Sequence, residues 1–315
     1  MNVLVTGGAG YLASLLLPRL VADPEVAEVV ALDVREPPPA AATAGVRFVR
    51  ASVLDRSLDT LLRRHRISLV AHLAWVFNPS HDRERMRTVD VAGSRNVVEA
   101  AAAAGVAHLL YLSSTTAYGA FPDNPERLTE DHPTRAGRFP YAADKAAVEA
   151  LLDELEARHR RPAITRARPC IVLGRRTDNF VKAMLELPVL VRWRGHDPGF
   201  QFLAESDLAE ALHLLCRRRP AGAFNIAPDD AVTLSELGHL SGRRTVALPG
   251  PLLTGLVAAG WALRLFPAPP SYLDFIRWPW LADASRARVE LGFRAATSSR
   301  QAVAAALGRP PSPVP

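Results

Sequence analysis

The chain has 315 residues, 49% hydrophobic and 22% charged, which supplies a large core and argues against a disordered chain. Its formal charge of +6 comes from 36 Arg against two Lys, Lys145 and Lys182, and the basic pairs are scattered among acids without interleaved aromatics, so no nucleic-acid partner is expected. Two cysteines, Cys170 and Cys216, make no disulfide framework, and no Cys/His cluster has metal-ligand spacing, so no metal is expected either.

In chain order, short apolar runs alternate with helical patterns. Strands are predicted at 2–6, 26–32, 46–50, 69–73, 108–113 and 163–172, and helices at 11–22, 58–65, 83–104 and 141–158. Such alternation implies an α/β fold built on a doubly wound parallel sheet. Past 173 the pattern loosens: helices are expected at 180–187 and 206–217, an extended segment at 200–203 and a short strand at 224–226, followed by a helical, Pro-rich stretch. The chain thus divides into a sheet domain at 1–173, to which 203–231 returns, and a smaller, mainly helical lobe from 174–202 and 232–308. Residues 309–315 are expected to form a disordered tail. The first residues already read as a core strand, so no signal peptide is expected. The longest uncharged apolar stretch, 251–263, is shorter than the roughly 20 residues a bilayer span needs and reads as a lobe-core helix. No membrane partner follows, and a cytoplasmic location is the default.

The first strand runs into Thr6-Gly7-Gly8-Ala9-Gly10-Tyr11-Leu12-Ala13, and a helix follows. Glycines at 7 and 10 permit a tight turn and close approach of a pyrophosphate, and the helix start at Tyr11 and Leu12 offers free N–H groups. The strand–turn–helix context makes this a dinucleotide signal. Asp33 ends the second strand 23 residues after Gly10, where a carboxylate accepts ribose hydroxyls of NAD and repels a 2′-phosphate. Arg35, two residues on, softens that repulsion and leaves NADP open.

Tyr141-Ala142-Ala143-Asp144-Lys145 puts a phenol and an ammonium on one helical face. An ammonium there stabilises phenolate, and the phenol can pass a proton to or from a substrate oxygen. With five Tyr and two Lys in the chain, random placement gives this spacing only about 0.03 times. The strand at 108–113 ends in Ser113-Ser114-Thr115-Thr116, at the carboxyl end where α/β folds bind ligands; a plain turn has the same composition.

Together these residues resemble the extended short-chain dehydrogenase/reductases, the NAD-dependent epimerases and dehydratases, from Val3 to about Phe293. Residues 6–13 resemble the TGxxGxxG loop, His72-Leu73-Ala74 the end of the fourth strand, and Asp90–Asn96 the NVxGTxN helix. Residues 168–174 resemble the RPxNVYG segment, and 202–209 the FVHVDDVA segment. The resemblance implies a Rossmann fold, bound NAD, a small-molecule substrate and a homodimer formed through the helices at 83–104 and 141–158. It implies Ser114, Tyr141 and Lys145 as the catalytic triad. It also implies cofactor contacts from Gly7, Gly10, Tyr11, Leu12, Asp33, Arg35, Ser52, Val53, Leu73, Ala74, Tyr141, Lys145 and Pro169, with Lys145 holding the ribose. Three departures matter. Ala13 replaces the third glycine. Ile171 replaces an Asn that contacts the ligand in nucleotide-sugar members. Thr115-Thr116 stand where 4,6-dehydratases carry Asp-Glu, which argues against dehydration because threonine is too weak an acid.

Substrate candidates are Trp75 and Phe77 as pocket walls, Asn78 as a polar guide, Ser114, Thr115 and Thr116 at the reacting oxygen, Cys170 as a proton donor, Ile171 in place of the Asn, and Arg277 with Trp278-Pro279-Trp280 as a cover. Loop packing, an inert buried thiol and lobe-core aromatics explain the same residues as well. The expected activity is NAD(P)-dependent hydride transfer at a secondary alcohol or ketone. The alternatives are a nucleotide-sugar epimerase with tightly bound NAD and, from another class, a non-catalytic NAD(P)-binding sensor or scaffold.

Overall fold

The computed structural model describes residues 1–37, 42–159 and 161–308, and the tail expected at 309–315 lies outside them. Seven strands form one parallel sheet: β1 (Asn2–Thr6), β2 (Glu28–Asp33), β3 (Val46–Arg50), β4 (Leu69–His72), β5 (His108–Leu112), β6 (Ala163–Pro169) and β7 (Gly222–Ile226). Their order across the sheet is β3-β2-β1-β4-β5-β6-β7, so the direction of winding reverses between β1 and β4. This is the Rossmann arrangement, and ligands bind at that reversal.

Alternation along β1 shows how the sheet is covered. Val3 and Val5 belong to the apolar cluster under the helices Tyr11–Ala22 and Glu205–Arg218, while Leu4 belongs to the opposite cluster under Leu58–Arg64, Gly93–Ala104 and Pro140–Arg158. β4 and β5 are buried along their whole length, as expected of strands covered on both faces. The helix expected at 83–104 is interrupted: Arg83–Arg87 passes through a π-helical turn at Thr88–Ala92 before Gly93–Ala104. That wide turn places Asp90 inside the fold, 1% exposed.

The strand expected at 163–172 divides in two. Pro169 has no N–H to continue the ladder, and β6 ends there. Ile171–Leu173 then pairs with Phe202–Ala204 instead. The second lobe carries a third apolar cluster that includes Phe200, Leu237, Leu253, Phe275, Trp280 and Val303. The helix Ser285–Leu291, placed with the second lobe on sequence, packs on the sheet instead: Ala287, Leu291 and Phe293 are buried in the sheet's own cluster. Among the described residues no helix is long and apolar enough to cross a membrane.

Candidate active site

The glycine loop crosses the carboxyl ends of β1 and β4. Gly7 has φ +70°, and a β-carbon there would lie 2.9 Å from the Ala74 backbone. A β-carbon on Gly10 would lie 2.9 Å from the Gly7 carbonyl, to which the Gly10 N–H donates at 2.8 Å. No side chain caps the helix beginning at Tyr11, so its first N–H groups face the cleft unpaired, as a pyrophosphate requires. Ala13 is fully buried in the sheet core, so the extra methyl is accommodated. Gly7→Ala should weaken NAD binding by more than about tenfold, ~1.4 kcal/mol, measured by titration calorimetry, because the loop must shift to accept the methyl.

At the adenosine end Asp33 accepts the Ala9 N–H at 3.1 Å and the Arg35 N–H at 3.0 Å. The Arg35 side chain is 76% exposed with Nε 3.9 Å from the carboxylate. Ser52 Oγ accepts the Leu54 N–H, and Val53 is buried with its carbonyl receiving the Asn96 amide. Under the loop, Thr6 Oγ1 accepts the Ala74 N–H at 3.2 Å and lies 2.6 Å from His72 Nδ1, while His72 Nε2 lies 2.9 Å from Ser94 Oγ. Burial and the Lys145 charge push the His72 imidazole down to about 3, so it is a neutral structural strut.

The triad residues meet where β5 ends. Ser114 caps the short 3-10 turn Thr115–Tyr118, its Oγ accepting the Thr116 N–H and hydroxyl at 3.2 and 2.9 Å, and its hydroxyl adjoins the Tyr141 phenol and favours the ionised form. Tyr141 stands in the first turn of Pro140–Arg158, and burial pushes its phenol above the ordinary value against the pull of the Ser114 hydroxyl. Phe77 and Trp75 meet the Tyr141 ring edge-on at 5.0 and 6.1 Å. Lys145 donates to the Leu112 carbonyl at 2.6 Å and lies 3.4 Å from the centre of the Trp75 ring, but 5.8 Å from that of Tyr141. The ammonium thus faces the rings of both Trp75 and Tyr141, lying closer to Trp75, and the Ser114 hydroxyl also favours phenolate.

Asp90 faces this pair from the π turn. Its Oδ1 accepts the Val76 N–H at 2.8 Å, and its Oδ2 is buried without a partner. Burial pushes the Asp90 carboxyl up and the Lys145 ammonium down, while Asp90, Glu149 and Asp144 oppose the loss of the lysine proton. Asp90 also raises Tyr141. Asp90→Asn should therefore move both limbs of the pH–activity profile to lower pH, by roughly one unit, wherever Asp90 is ionised in the parent. A kcat/KM profile checks the direction.

A continuous cleft of about 360 Å³ joins these groups. Gly7, Gly10, Tyr11, Leu12, Leu73 and Pro169 line one end. Trp75, Phe77, Ser114, Thr116, Tyr141 and Lys145 surround the middle, with Cys170 and Ile171 on the floor. Three expected substrate contacts are not there. The 3-10 turn points Thr115 into the core, fully buried with no partner for its hydroxyl. Asn78 is committed to the Phe180 N–H at 3.1 Å. Arg277 stacks on Trp193 and Trp278, with its guanidinium carbon 4.5 and 4.3 Å from the ring centres. Burial pushes the Cys170 thiol far up, which makes it a poor proton donor.

Sequence reasoning missed the contacts that reach the phosphate loop from far along the chain. Tyr11 Oη hydrogen-bonds Glu205, which starts a helix on the sheet, and lies 3.1 Å from Thr177 Oγ1 of the second lobe. Burial and Glu205 push that phenol up, while the nearby charge of Arg176 opposes them. Glu205 stands where the FVHVDDVA segment has Val, so its departure from that pattern was the available signal. Among the described residues no His/Cys/Asp/Glu group could hold a metal ion.

A family model described as the NAD dependent epimerase/dehydratase family matches residues 3–227. The uncharacterised protein Rv0501 of Mycobacterium tuberculosis is 29% identical over 303 residues, covering 93% of this chain and 79% of that protein. A UDP-glucose 4-epimerase of Mycolicibacterium smegmatis is 34% identical over 183 residues, 52% of this chain and 56% of its own length. Among solved structures, the NAD complex of the Thermus thermophilus UDP-glucose 4-epimerase superposes with a TM-score of 0.74 at 23% identity, covering 98% of both chains. The glycine cradle, the uncapped helix and Asp33 fit the cofactor that this family uses, NAD, and the chain belongs to the NAD-dependent epimerase/dehydratase family of extended short-chain dehydrogenase/reductases.

Proposed function

We propose that the protein is an NAD-dependent oxidoreductase acting at a secondary alcohol or ketone carbon, with Tyr141 as acid/base. The observation that carries this reading is that Ser114 and Tyr141 line the same cleft as the Gly7–Gly10 cradle. Bound NAD supplies the hydride acceptor, or in reduced form the donor. Ser114 and Tyr141 hold the substrate oxygen between two hydroxyls. Tyr141 takes the alcohol proton during oxidation and returns it during reduction. Lys145 places a buried cation beneath the site, and Trp75 and Phe77 exclude water from the phenol. Production of NADH on addition of a secondary alcohol tests the reading.

A second reading, epimerisation of a nucleotide sugar on retained NAD, is favoured by the Mycolicibacterium relative. Interconversion of UDP-glucose and UDP-galactose, followed by NMR, distinguishes the two. For assembly we propose a homodimer through the helices at 83–104 and 141–158. Ala100 and Ala101 face the core rather than outward, so the contact would use the polar face carrying Arg95 and Glu99. Light scattering should give twice the chain mass, and a monomer at working concentration would refute the dimer.

A further inference from the structure

We infer that the substrate is an uncharged, largely hydrocarbon secondary alcohol or ketone, bound with its oxygen at Ser114 and Tyr141 and its hydrocarbon body inside the second lobe. The inference rests on the hydride-transfer reading for its reacting carbon and adds the class of molecule.

Beyond Tyr141 the cleft penetrates the lobe's apolar cluster. Its walls there include Phe180, Met184, Leu237, Phe275, Ile276 and Trp280, drawn from separated stretches of chain. Of the polar side chains near these walls, Asn179 and Trp280 are already committed, and the buried Tyr272 phenol adds one uncharged hydroxyl. Asn179 caps the helix Phe180–Leu185, its Oδ1 accepting the Lys182 N–H at 2.9 Å. Trp280 Nε1 donates to the Phe275 carbonyl at 3.1 Å. Asn78, the expected polar guide, is turned away to the Phe180 backbone.

Charge decides against the nucleotide-sugar alternative. Such a ligand carries a pyrophosphate that must be matched by cations when it leaves water. Among the described residues, Lys145 and Arg176 are the only lysine and arginine side chains lining the cleft. Lys145 lies beneath Trp75, bonded to the Leu112 carbonyl. The charge of Arg176 acts on Tyr11, which starts the helix facing the cofactor's own phosphates. Asp178 adds a carboxylate to the lining, and Arg277 is held outside between two indole rings. Ile171 supplies a methyl-rich surface at the point where a polar anchor would be needed. A hydrocarbon meets none of these penalties and displaces water from apolar walls.

The reaction balances with NAD alone. The carbinol C–H bond breaks with its electron pair passing to NAD+, the O–H proton passes to Tyr141 phenolate, and ketone and NADH result.

The test is calorimetric titration of the NAD-loaded protein with alkan-2-ones from butanone to dodecan-2-one, alongside UDP-glucose. Affinity should rise about threefold per added methylene until the cleft is filled, and UDP-glucose should give no binding heat. Met184→Gln should weaken dodecan-2-one at least tenfold while leaving butanone and NAD affinity unchanged. Its normal NAD affinity shows that the variant is folded. A flat series, or UDP-glucose binding more tightly than dodecan-2-one, overturns the inference. NADH formation from the matching alkan-2-ols is measured in parallel. If affinity climbs with chain length but no NADH appears, the apolar site stands and the hydride-transfer reading fails. If NADH appears only with polar alcohols, the reading stands and the substrate class fails.

Discussion

Tyr141→Phe is expected to lower kcat by about 10²–10⁴ while NAD affinity stays within about threefold, a change under ~0.7 kcal/mol. In the proposed mechanism the phenol exchanges a proton with the substrate oxygen beside Ser114, and the Thr116 hydroxyl, already donated to Ser114, is a far weaker acid. Cys170 is too weak an acid, and Thr115 faces the core. The benzene ring that remains keeps its edge contacts with Trp75 and Phe77, so the wall of the site survives the change. Single-turnover NADH formation beside a calorimetric NAD titration separates chemistry from binding. Turnover at the parent rate would remove Tyr141 from the mechanism.

Glu149→Ala should be the most destabilising single change, by about 3–5 kcal/mol, which lowers Tm on the order of 10 °C. Glu149 lies two helical turns beyond Tyr141 on the buried face of Pro140–Arg158. Its carboxylate takes Arg168 Nε and Nη2, each at 2.8 Å, and the Ser113 hydroxyl at 2.5 Å; Arg166 Nε lies 3.5 Å away. Arg168 continues to Tyr118 Oη at 2.8 Å, and Tyr118 donates to Asn225 Oδ1 at 2.8 Å. Burial alone would raise the Glu149 carboxyl, but the Arg168 bonds and charge, with the Ser113 hydroxyl, hold it below the usual carboxylate range. Alanine leaves Arg168, about 6% exposed, without its counter-charge, while the equally buried Arg166 keeps Asp153 and Glu156 at 2.8 and 2.6 Å. The exposed pair Arg135–Asp123 has a similar length, 3.0 Å, and its loss should cost under about 1 kcal/mol. Differential scanning calorimetry of both variants tests the contrast.

The parallel sheet was legible in sequence because buried strands read as unbroken apolar runs: β1 falls on its expected residues, and the fully buried β4 and β5 each end one residue short of theirs. The cofactor end was legible because glycine spacing and the following helix are local features. The Tyr–Lys pair was visible because two helix positions four apart share a face. What escaped is non-local. Glu149 and Arg168 are charged residues that usually lie in water, and only the fold shows them facing each other. The apolar end of the cleft joins Phe180 to Trp280 across a hundred residues, with no spacing rule to connect them. Arg277 was expected over the substrate, but two indole faces on its own side of the lobe, Trp193 and Trp278, hold its planar cation instead.

β7 comes from residues 222–226, and the helix Glu205–Arg218 covers the same face of the sheet as Tyr11–Ala22. Phe224 and Ile226 are both at most 1% exposed, and Phe293, still further along, closes the same apolar cluster. No cut between residues 173 and 222 therefore releases a self-sufficient nucleotide-binding fragment. A piece ending at 173 would present β6 as a bare edge and lose a covering helix, whereas a piece beginning at 174 would lack the partner strand for β7. The glycine cradle and the segments at 205–226 and 287–293 thus share one sheet and one core, and damage far along the chain is expected to reach the cradle through lost sheet.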